Sequence, residues 1–375
     1  MKDLGYWDII VVGGGLVGLA AALGLACEGA RVLVFDAPTA SPSASRGNFG
    51  LVWAQSKGAN SRDYAQWTRR SVRLWPDLQD EIQRLCDLSV NYEGGQGFHL
   101  CLGEDELNRR SELVEKIVRH KLPNDDTRMI NREELESILP GIGPDVRGAS
   151  VSSLDGACQS LTLLRGLAAA TQAAGAKLVG GEFVKKIMPS GDGYSVASKN
   201  YVATAKRVLI AAGLKTNDLA RPFGFSNLVY PQKGQIIVTE RTKPTVPVIT
   251  SALRQTLDGT ILIGSSSETS NDDHSNARGM ASLANRAIAL FPSIGQLRIV
   301  RSWAALRVLT KDGNPVYDES PTHPGVFVAT THSGVTLAPV HRGPLARWIL
   351  GGQRPAEFVS FSASRFNSCT THHDT

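Results

Sequence analysis

The sequence predicts an α/β protein of two domains: one built on a parallel sheet and assembled from discontinuous segments, and an α+β domain with a mainly antiparallel sheet. Three observations predict this fold. A glycine-rich apolar run near the amino terminus has the pattern of strand, turn and helix; apolar strand patterns return late in the chain; and alternating strand patterns fill the region between them. A chain of 375 residues also exceeds what one simple core accommodates.

The amino-terminal run, IIVVGGGLVGLAAALGLAC at 9–27, contains no charged residue. Its 19 residues reach the length of a membrane span. However, glycines interrupt the run early, and Asp8 and Glu28 flank it closely. We therefore expect a buried strand at 8–12, then a glycine turn and a helix, instead of a transmembrane segment.

The turn has the spacing Gly13-x-Gly15-x-x-Gly18, and a second strand at 31–36 ends in Asp36. Gly13 permits a tight turn, Gly15 lets a pyrophosphate approach the main chain, and Gly18 lets the helix pack on the strand. The helix amino terminus attracts phosphate, and an acid after the second strand accepts hydrogen bonds from both ribose hydroxyls. The pattern predicts a Rossmann-like dinucleotide site. Asp36 disfavours the 2′-phosphate of NADP, so NAD and FAD remain.

The segment that follows, 62–87, has apolar residues at helical spacing, with a kink or a break expected at Pro76. Antiparallel strand patterns occupy 228–240, 245–256 and 259–268. The predicted domains are a dinucleotide-binding domain at 1–85, 150–225 and 320–365, a substrate domain at 86–149 and 226–319, and a flexible tail at 366–375.

Composition argues against several classes of protein. The chain is 42% hydrophobic and 20% charged, with a net charge of +5, but its basic residues are dispersed and do not predict nucleic-acid binding. The five cysteines lack metal-binding spacing, so no metal site is expected. Because the cysteines are widely separated and odd in number, we expect free thiols in a reducing cytoplasm.

Three later segments bear on the choice between NAD and FAD. SRGNFGLVWAQSKG (45–58) suits a loop laid along a pyrophosphate and an isoalloxazine edge, although such composition is also typical of surface loops. Strand patterns within 180–220 end in RVLIAAG at Gly213 and could return the chain to the parallel sheet. PGVFVATTHSGVTLAP (324–339) predicts a strand, a polar turn and a second helix amino terminus, which would suit the flavin carbonyl that gains negative charge on reduction.

These motifs, together with DGTILIG (258–264) and WAALRVLTKDGNPV (303–316), occur in the order seen in the D-amino-acid-oxidase-like flavoenzymes. The chain resembles this family, which includes glycine oxidase, sarcosine oxidase and related amine dehydrogenases, from Asp8 to about Arg347. The 45–58 loop is most similar to the B (β) subunits of opine oxidases and D-hydroxyproline dehydrogenases.

The resemblance implies FAD bound in an extended form. Because ALRVLT lacks the cysteine that tethers the flavin in some relatives, we expect noncovalent FAD. The implied partner subunits could carry FMN or an iron–sulfur cluster, or share one with this chain. The implied FAD-binding residues are Gly13, Gly15, Leu16, Val17 and Gly18 at the pyrophosphate, Asp36 and Ala37 at the ribose, Ser45, Arg46, Gly47 and Asn48 along the flavin, Val184 at the adenine, Ala212 and Gly213 closing the cradle, and His332, Ser333, Gly334, Val335 and Thr336 at the isoalloxazine.

Four basic residues are candidates for the substrate region. Arg307 matches the family's carboxylate-binding arginine, and a guanidinium can bind a carboxylate through two hydrogen bonds; the alternative is a salt bridge at a domain seam. Arg254 is a second candidate, although an arginine beside a turn is usually solvated. His332 could tune the flavin, orient the substrate or serve as a structural donor. Lys57 could face the flavin and promote reaction with oxygen, or be a solvated loop lysine.

The resemblance predicts oxidation of the C–N bond of a small carboxylate-bearing secondary amine, by hydride transfer to flavin N5 and hydrolysis of the imine. The expected substrate is a D-opine, such as octopine or nopaline, or D-hydroxyproline. We expect a catalytic β subunit of a dehydrogenase with α- and γ-type partners. The alternatives are a stand-alone glycine- or sarcosine-type oxidase that produces hydrogen peroxide, and a non-catalytic dinucleotide-binding assembly subunit.

Overall fold

The computed structural model describes residues 1–38 and 43–369. In these residues the strands, numbered in chain order, are β1 (Lys2–Val12), β2 (Val32–Asp36), β3 (Leu51–Val52), β4 (Glu93–Gly94), β5 (Gly97–Leu102), β6 (Arg128–Asn131), β7 (Val146–Ser152), β8 (Gly156–Ala157), β9 (Lys177–Gly180), β10 (Lys186–Ser190), β11 (Gly193–Ala197), β12 (Tyr201–Ile210), β13 (Tyr230–Arg241), β14 (Ile249–Thr250), β15 (Leu253–Gln255), β16 (Thr260–Gly264), β17 (Ile299–Leu309), β18 (Val316–Glu319) and β19 (Val326–Thr330).

The helices of the same residues are α1 (Leu16–Cys27), α2 (Arg62–Arg73), α3 (Trp75–Cys86), α4 (Gly103–Val118), α5 (Arg132–Ile138), α6 (Ser160–Ala173), α7 (Thr216–Ala220), α8 (Ala277–Leu290), α9 (Ala338–Val340) and α10 (Ala346–Ile349). Of the predicted flexible tail, 366–369 belongs to a 3-10 helix, Ala363–Cys369, and 370–375 lies outside the described residues.

The large sheet has β1 at its centre, with β2 and β9 on one side and β12 on the other, all parallel. The far edge of β12 is shared: the β10–β11 hairpin pairs along its first half, and β19 pairs in parallel with Val208–Ile210. The carboxyl ends of β1, β2, β12 and β19 therefore lie at one edge, as in other doubly wound sheets. The predicted Rossmann-like sheet is confirmed.

Both faces of this sheet are buried. Ile9 and Val11 of β1 pack on one face with α1, and Ile10 and Val12 pack on the other with residues of β10–β12. This alternation follows from the two-residue period of a strand. It explains the continuous apolar run, because a parallel strand covered on both sides has no polar face.

A second region holds two four-stranded sheets, in the orders β15-β16-β13-β17 and β14-β5-β7-β6. Among their described pairings, β14 with β5 is parallel and the others are antiparallel. Both sheets and α8 contribute side chains to one apolar core. The expectation of a mainly antiparallel second region is confirmed, whereas the predicted domain boundaries stay a prediction.

The helical region at 62–87 is divided between α2 and α3 at Leu74. Pro76 lies in the first turn of α3, where its missing N–H has no intrahelical partner to lose. The buried Trp67 and Trp75 make this segment part of the core.

Candidate active site

A cavity of about 950 Å³ lies along the carboxyl edge of the large sheet and extends to β13 and β17. It brings together most of the residues that the sequence predicted. Those in its walls are Gly13, Gly15, Leu16, Val17, Asp36, Ala37, Ser45, Arg46, Gly47, Asn48, Lys57, Val184, Ala212, Gly213, Arg307, His332, Ser333, Gly334, Val335 and Thr336. Gly18 and Arg254 are not in the walls.

One end of the cavity, here called the glycine-rich end, is formed by residues 13–17, Asp36, Val184, Ala212 and Gly213. Gly13 has φ +118°, and a Cβ there would lie 2.3 Å from the Ala211 carbonyl oxygen. A Cβ at Gly18 would lie 1.9 Å from the Gly13 carbonyl oxygen. Gly18 therefore acts behind the wall, where it lets α1 approach the turn.

The amino terminus of α1 faces this end of the cavity. The helix begins at Leu16 after Gly15, which supplies no side-chain cap. The Leu16 N–H donates to the Ser45 hydroxyl oxygen at 3.0 Å, and the Gly14 N–H donates to the Asp36 carboxylate at 2.9 Å. Main-chain donors and the positive end of the helix dipole thus line a wall that suits a diphosphate.

The 45–50 part of the loop is held from behind by hydrogen bonds to its carbonyl groups. Trp303 Nε1 donates to the Gly47 carbonyl oxygen at 3.2 Å, and Arg254 Nε donates to that of Phe49 at 2.7 Å. Arg254 is 7% exposed, and its guanidinium lies beneath the loop outside the cavity wall. This placement does not match the prediction of Arg254 as a substrate residue, because its Nε–H group is hydrogen-bonded to the loop and its guanidinium is outside the cavity wall.

The next part of the loop, 52–55, is buried and enters a polar network. One Asp155 carboxylate oxygen accepts the N–H groups of Ala54 and Gln55. Arg110 donates to the Gln55 side-chain oxygen at 2.6 Å and to Ser150 Oγ at 2.6 Å. The alternative of an ordinary surface loop is therefore wrong.

Burial perturbs the two charged groups of this network in opposite directions. It raises the pKa of the Asp155 carboxyl group to about 7, partly offset by the N–H groups that it accepts and by Arg110. It lowers the pKa of Arg110 to about 10. The network thus holds a segment in place at the cost of desolvating two ionisable groups.

The opposite end of the cavity, here called the basic end, carries Lys57, Arg307 and His332. Arg307 lies on β17 beside Gln232 of β13, and its Nη1 donates to the Gln232 side-chain oxygen at 2.8 Å. Its Nη2 donates to the Ser266 carbonyl oxygen at 2.6 Å and to the Ser265 hydroxyl. No carboxylate of the described chain pairs with this guanidinium, so the alternative of a salt bridge at a domain seam is not what the structure shows.

The three groups of the basic end influence one another. Burial and the positive charge of Arg307 lower the pKa of the Lys57 amine to about 8, with Asp155 opposing. Burial, Lys57 and Arg307 lower the pKa of the His332 imidazole well below its usual value. At neutral pH, His332 is therefore uncharged and two cations remain.

Several wall residues were not predicted from the sequence. Trp53, His99, Gln232 and Ser265 line the cavity. His99 lies on β5, its Nδ1 is 2.8 Å from Ser251 Oγ, and burial lowers its pKa to about 3. A lone histidine in an alternating strand pattern carries no signal that could have singled it out.

A family profile described as "FAD dependent oxidoreductase" matches residues 8–341 of this chain. The chain belongs to this family. It is therefore an FAD-dependent oxidoreductase, as the sequence predicted.

Individual proteins show the same likeness. The B subunit of opine oxidase from Rhizobium meliloti is 37% identical over 365 residues, which cover 96% of this chain and 98% of that protein. Glycine oxidase of Geobacillus kaustophilus is 27% identical over 330 residues, with 86% of this chain and 87% of that protein covered. The crystal structure of glycine oxidase from Geobacillus kaustophilus superposes with a TM-score of 0.87 at 25% identity, covering 98% and 100% of the two chains. The family and its fold therefore extend over nearly the whole chain.

Two other properties of the described residues concern metals and membranes. These residues contain no group of three or more His, Cys, Asp or Glu side chains placed to hold a metal ion. None of their helices combines the length and the apolar character that crossing a bilayer requires.

Proposed function

We propose that this FAD-dependent oxidoreductase oxidises the C–N bond of a small carboxylate-bearing secondary amine. The proposed substrate is a D-opine such as octopine or nopaline, or D-hydroxyproline. The observation that carries the proposal is the Arg307 guanidinium, which lies in the cavity wall, is oriented by neutral groups and lacks a carboxylate partner in the described chain. Such a cation suits the carboxylate of a bound ligand.

The residues of the glycine-rich end suit FAD. A cavity wall made of glycines, main-chain amides at a helix amino terminus and Asp36 matches a diphosphate followed by a ribose. We propose that the remaining wall residues at 45–48, 212–213 and 332–336 contact the rest of the cofactor, with Val184 at the adenine. The described wall contains no cysteine, which is consistent with noncovalent binding.

FAD, when bound, supplies the acceptor for a hydride from the carbon next to the amine nitrogen. The chain's own residues prepare the amine for that loss. Arg307 binds and orients the carboxylate, while the nearby charges of Lys57 and Arg307 disfavour a third positive charge and so lower the pKa of a bound amine. The uncharged His332 can accept a hydrogen bond from the nitrogen. The amine is thereby bound with its lone pair free.

We also propose that the chain is the catalytic β subunit of a multi-subunit dehydrogenase. The likeness to the B subunit of opine oxidase, at 37% identity over nearly the full length, supports this assignment. Partners of the α and γ type would carry electrons onward through FMN or an iron–sulfur cluster. The described cysteines Cys27, Cys86, Cys101 and Cys158 are unpaired, which supports a cytoplasmic location.

The test is anaerobic mixing of the FAD-bound protein with octopine, nopaline, D-hydroxyproline, glycine and sarcosine. We expect the visible absorption band of the oxidised flavin to disappear with at least one of octopine, nopaline and D-hydroxyproline, and to persist with glycine. Persistence of the band with every amine would exclude the proposed reaction.

A second candidate is a stand-alone oxidase that reduces oxygen to hydrogen peroxide. The likeness to glycine oxidase, with a TM-score of 0.87, favours keeping this candidate. Steady oxygen consumption by the isolated chain in the presence of an amine would support it, whereas turnover only with an added electron acceptor or partner subunits would support the dehydrogenase.

A further inference from the structure

The basic end of the cavity holds two cations, Lys57 and Arg307, whereas a single substrate carboxylate would need only one of them. Lys57 and Arg307 both line the wall of this cavity, and the positive charge of Arg307 lowers the pKa of Lys57. In the described chain, the Lys57 amine makes no hydrogen bond or ion pair. Asp155 opposes the lowering of the Lys57 pKa, but that buried carboxyl group already accepts two main-chain N–H groups.

Another acid in the cavity wall, Asp273, lies 3.4 Å from His274 Nδ1. Two like charges that are partly withdrawn from solvent repel each other and lose hydration. An anion bound at each of them would offset both costs.

The main chain around Lys57 is held on both sides, so its side chain starts from a defined position. The Lys57 N–H donates to the Ala54 carbonyl oxygen at 3.0 Å, and the next carbonyl, of Gly58, lies 2.9 Å from His120 Nε2. Arg69, which is 1% exposed, donates to the Ala54 carbonyl oxygen at 3.3 Å and to that of Lys57 at 3.5 Å. Such support is typical of binding residues and is unnecessary for a solvated loop lysine.

We infer that Lys57 binds a second carboxylate of the substrate, on the carbon chain attached to the amine nitrogen, while Arg307 binds the first. The inference rests on the proposed function and selects among its substrates: it favours the iminodicarboxylates octopine and nopaline, in which two carboxylates flank a secondary amine, over D-hydroxyproline, which has one carboxylate. Lys57 is then a specificity-determining residue. A monocarboxylate leaves one of two neighbouring cations without a partner, and the enzyme discriminates against it for that reason.

The experiment measures binding, so it does not depend on turnover. Thiodiacetate and (methylthio)acetate carry sulfur in place of the amine and differ by one carboxylate, and their binding to the FAD-bound protein is followed by calorimetry. The wild-type chain should bind thiodiacetate more tightly. In Lys57→Met the affinity for thiodiacetate should fall by about tenfold or more, because the substitution removes one of two charge pairs. The affinity for (methylthio)acetate should stay within about twofold of the wild-type value.

Three control variants complete the design. Arg307→Met should lower the affinity for both ligands. Lys57→Arg should retain most of the preference for thiodiacetate because it keeps the positive charge. Lys116→Met, which removes an exposed lysine on α4 outside the cavity wall, should change neither affinity. Flavin content and melting temperature establish that each variant is folded.

Several results would overturn the inference. The wild-type chain could bind thiodiacetate no more tightly than (methylthio)acetate. Lys57→Met could lower the affinities for both ligands equally, or neither affinity. The effect of Lys57→Met could also be confined to the rate at which oxygen reoxidises the reduced protein. The last result would assign Lys57 a role in the reaction of the reduced protein with oxygen. Loss of the proposed reaction is seen separately, as a flavin band that persists with every amine while the binding preference is intact.

Discussion

The two ends of the cavity are built in different ways. The glycine-rich end consists of main-chain groups from short consecutive segments, and the decisive property of Gly13 and Gly18 is the absence of a side chain. The basic end consists of side chains from distant segments, and each is held in place by neighbouring residues. Lys57, for example, depends on Arg69 and His120. The first end is therefore sensitive to added atoms, and the second to lost contacts.

The largest effect is expected from adding one methyl group behind the glycine-rich end. In Gly18→Ala the new Cβ would lie 1.9 Å from the Gly13 carbonyl oxygen, which forces α1 away from the turn. We expect the variant to lose most of its FAD, measured as the ratio of flavin to protein absorbance. Gly295→Ala is the matched control, because its Cβ would meet Ile288 at an ordinary 3.6 Å. A Gly18→Ala protein with full FAD content would contradict this account of the cradle.

The next effect comes from removing a charge at the basic end without disturbing the cradle. Arg307→Met should retain FAD and lose about 2–5 kcal/mol of apparent affinity for carboxylate substrates, the usual cost of deleting one partner of a desolvated charge pair. Steady-state kinetics and flavin content measure the two parts of this prediction. Lys311→Met, at an exposed position just after the same strand, should leave both unchanged. Kinetics like those of the wild type in Arg307→Met would remove this residue from the site.

A smaller effect is expected from a residue that supports the basic end without touching the cavity. Arg110→Met removes donors to Gln55, Ser56 and Ser150, which leaves buried acceptors without partners. We expect the free energy of unfolding to fall by about 1–3 kcal/mol and kcat/KM to fall with FAD retained. Urea unfolding and kinetics measure these changes.

The neighbouring Arg109, exposed on the same helix, supplies the control for this prediction as Arg109→Met. If both arginine variants have equal stability and kinetics, the network does not position the loop.

The smallest effect concerns pH and sharpens the assignment of Lys57. Because its pKa is lowered to about 8, Lys57 is a cation below that pH and neutral above it. The affinity for thiodiacetate should therefore fall as the pH rises through this range, by at most the factor that Lys57→Met costs. Arg307 stays charged, His332 is already neutral, and Asp155, with a pKa raised to about 7, ionises earlier and opposes the loss of the Lys57 charge. Calorimetric titration across this range should show no such step in Lys57→Arg.

The sequence predicted much of the fold, because the fold depends on local patterns. The strand, glycine turn and helix at 8–27 were recognisable from apolar runs and glycine spacing alone, and Pro76 correctly indicated the break between α2 and α3. The short β9 was missed, since an apolar pair, Leu178 and Val179, is too short to show a strand pattern. It forms because β2 offers it a parallel edge.

The site was predicted less evenly. Arg254 was a second candidate for the substrate, although an arginine beside a turn is usually solvated, but the structure directs its Nε to the Phe49 carbonyl oxygen. The 45–58 loop has the composition of a surface loop, yet Asp155, Arg110 and Arg69 bury and anchor its second half. Neither outcome was visible in the sequence, because the groups responsible come from segments far along the chain.

What the sequence determined by itself is the dinucleotide cradle with its acid and its helix amino terminus, since these depend on main-chain geometry within a few dozen consecutive residues. Only the tertiary structure decided that Lys57 and Arg307 share one part of the cavity wall, and which residues hold them there. The physical reason is that a charge acts through its distance, burial and neighbours, and these are properties of the folded chain that residue identity and spacing do not encode.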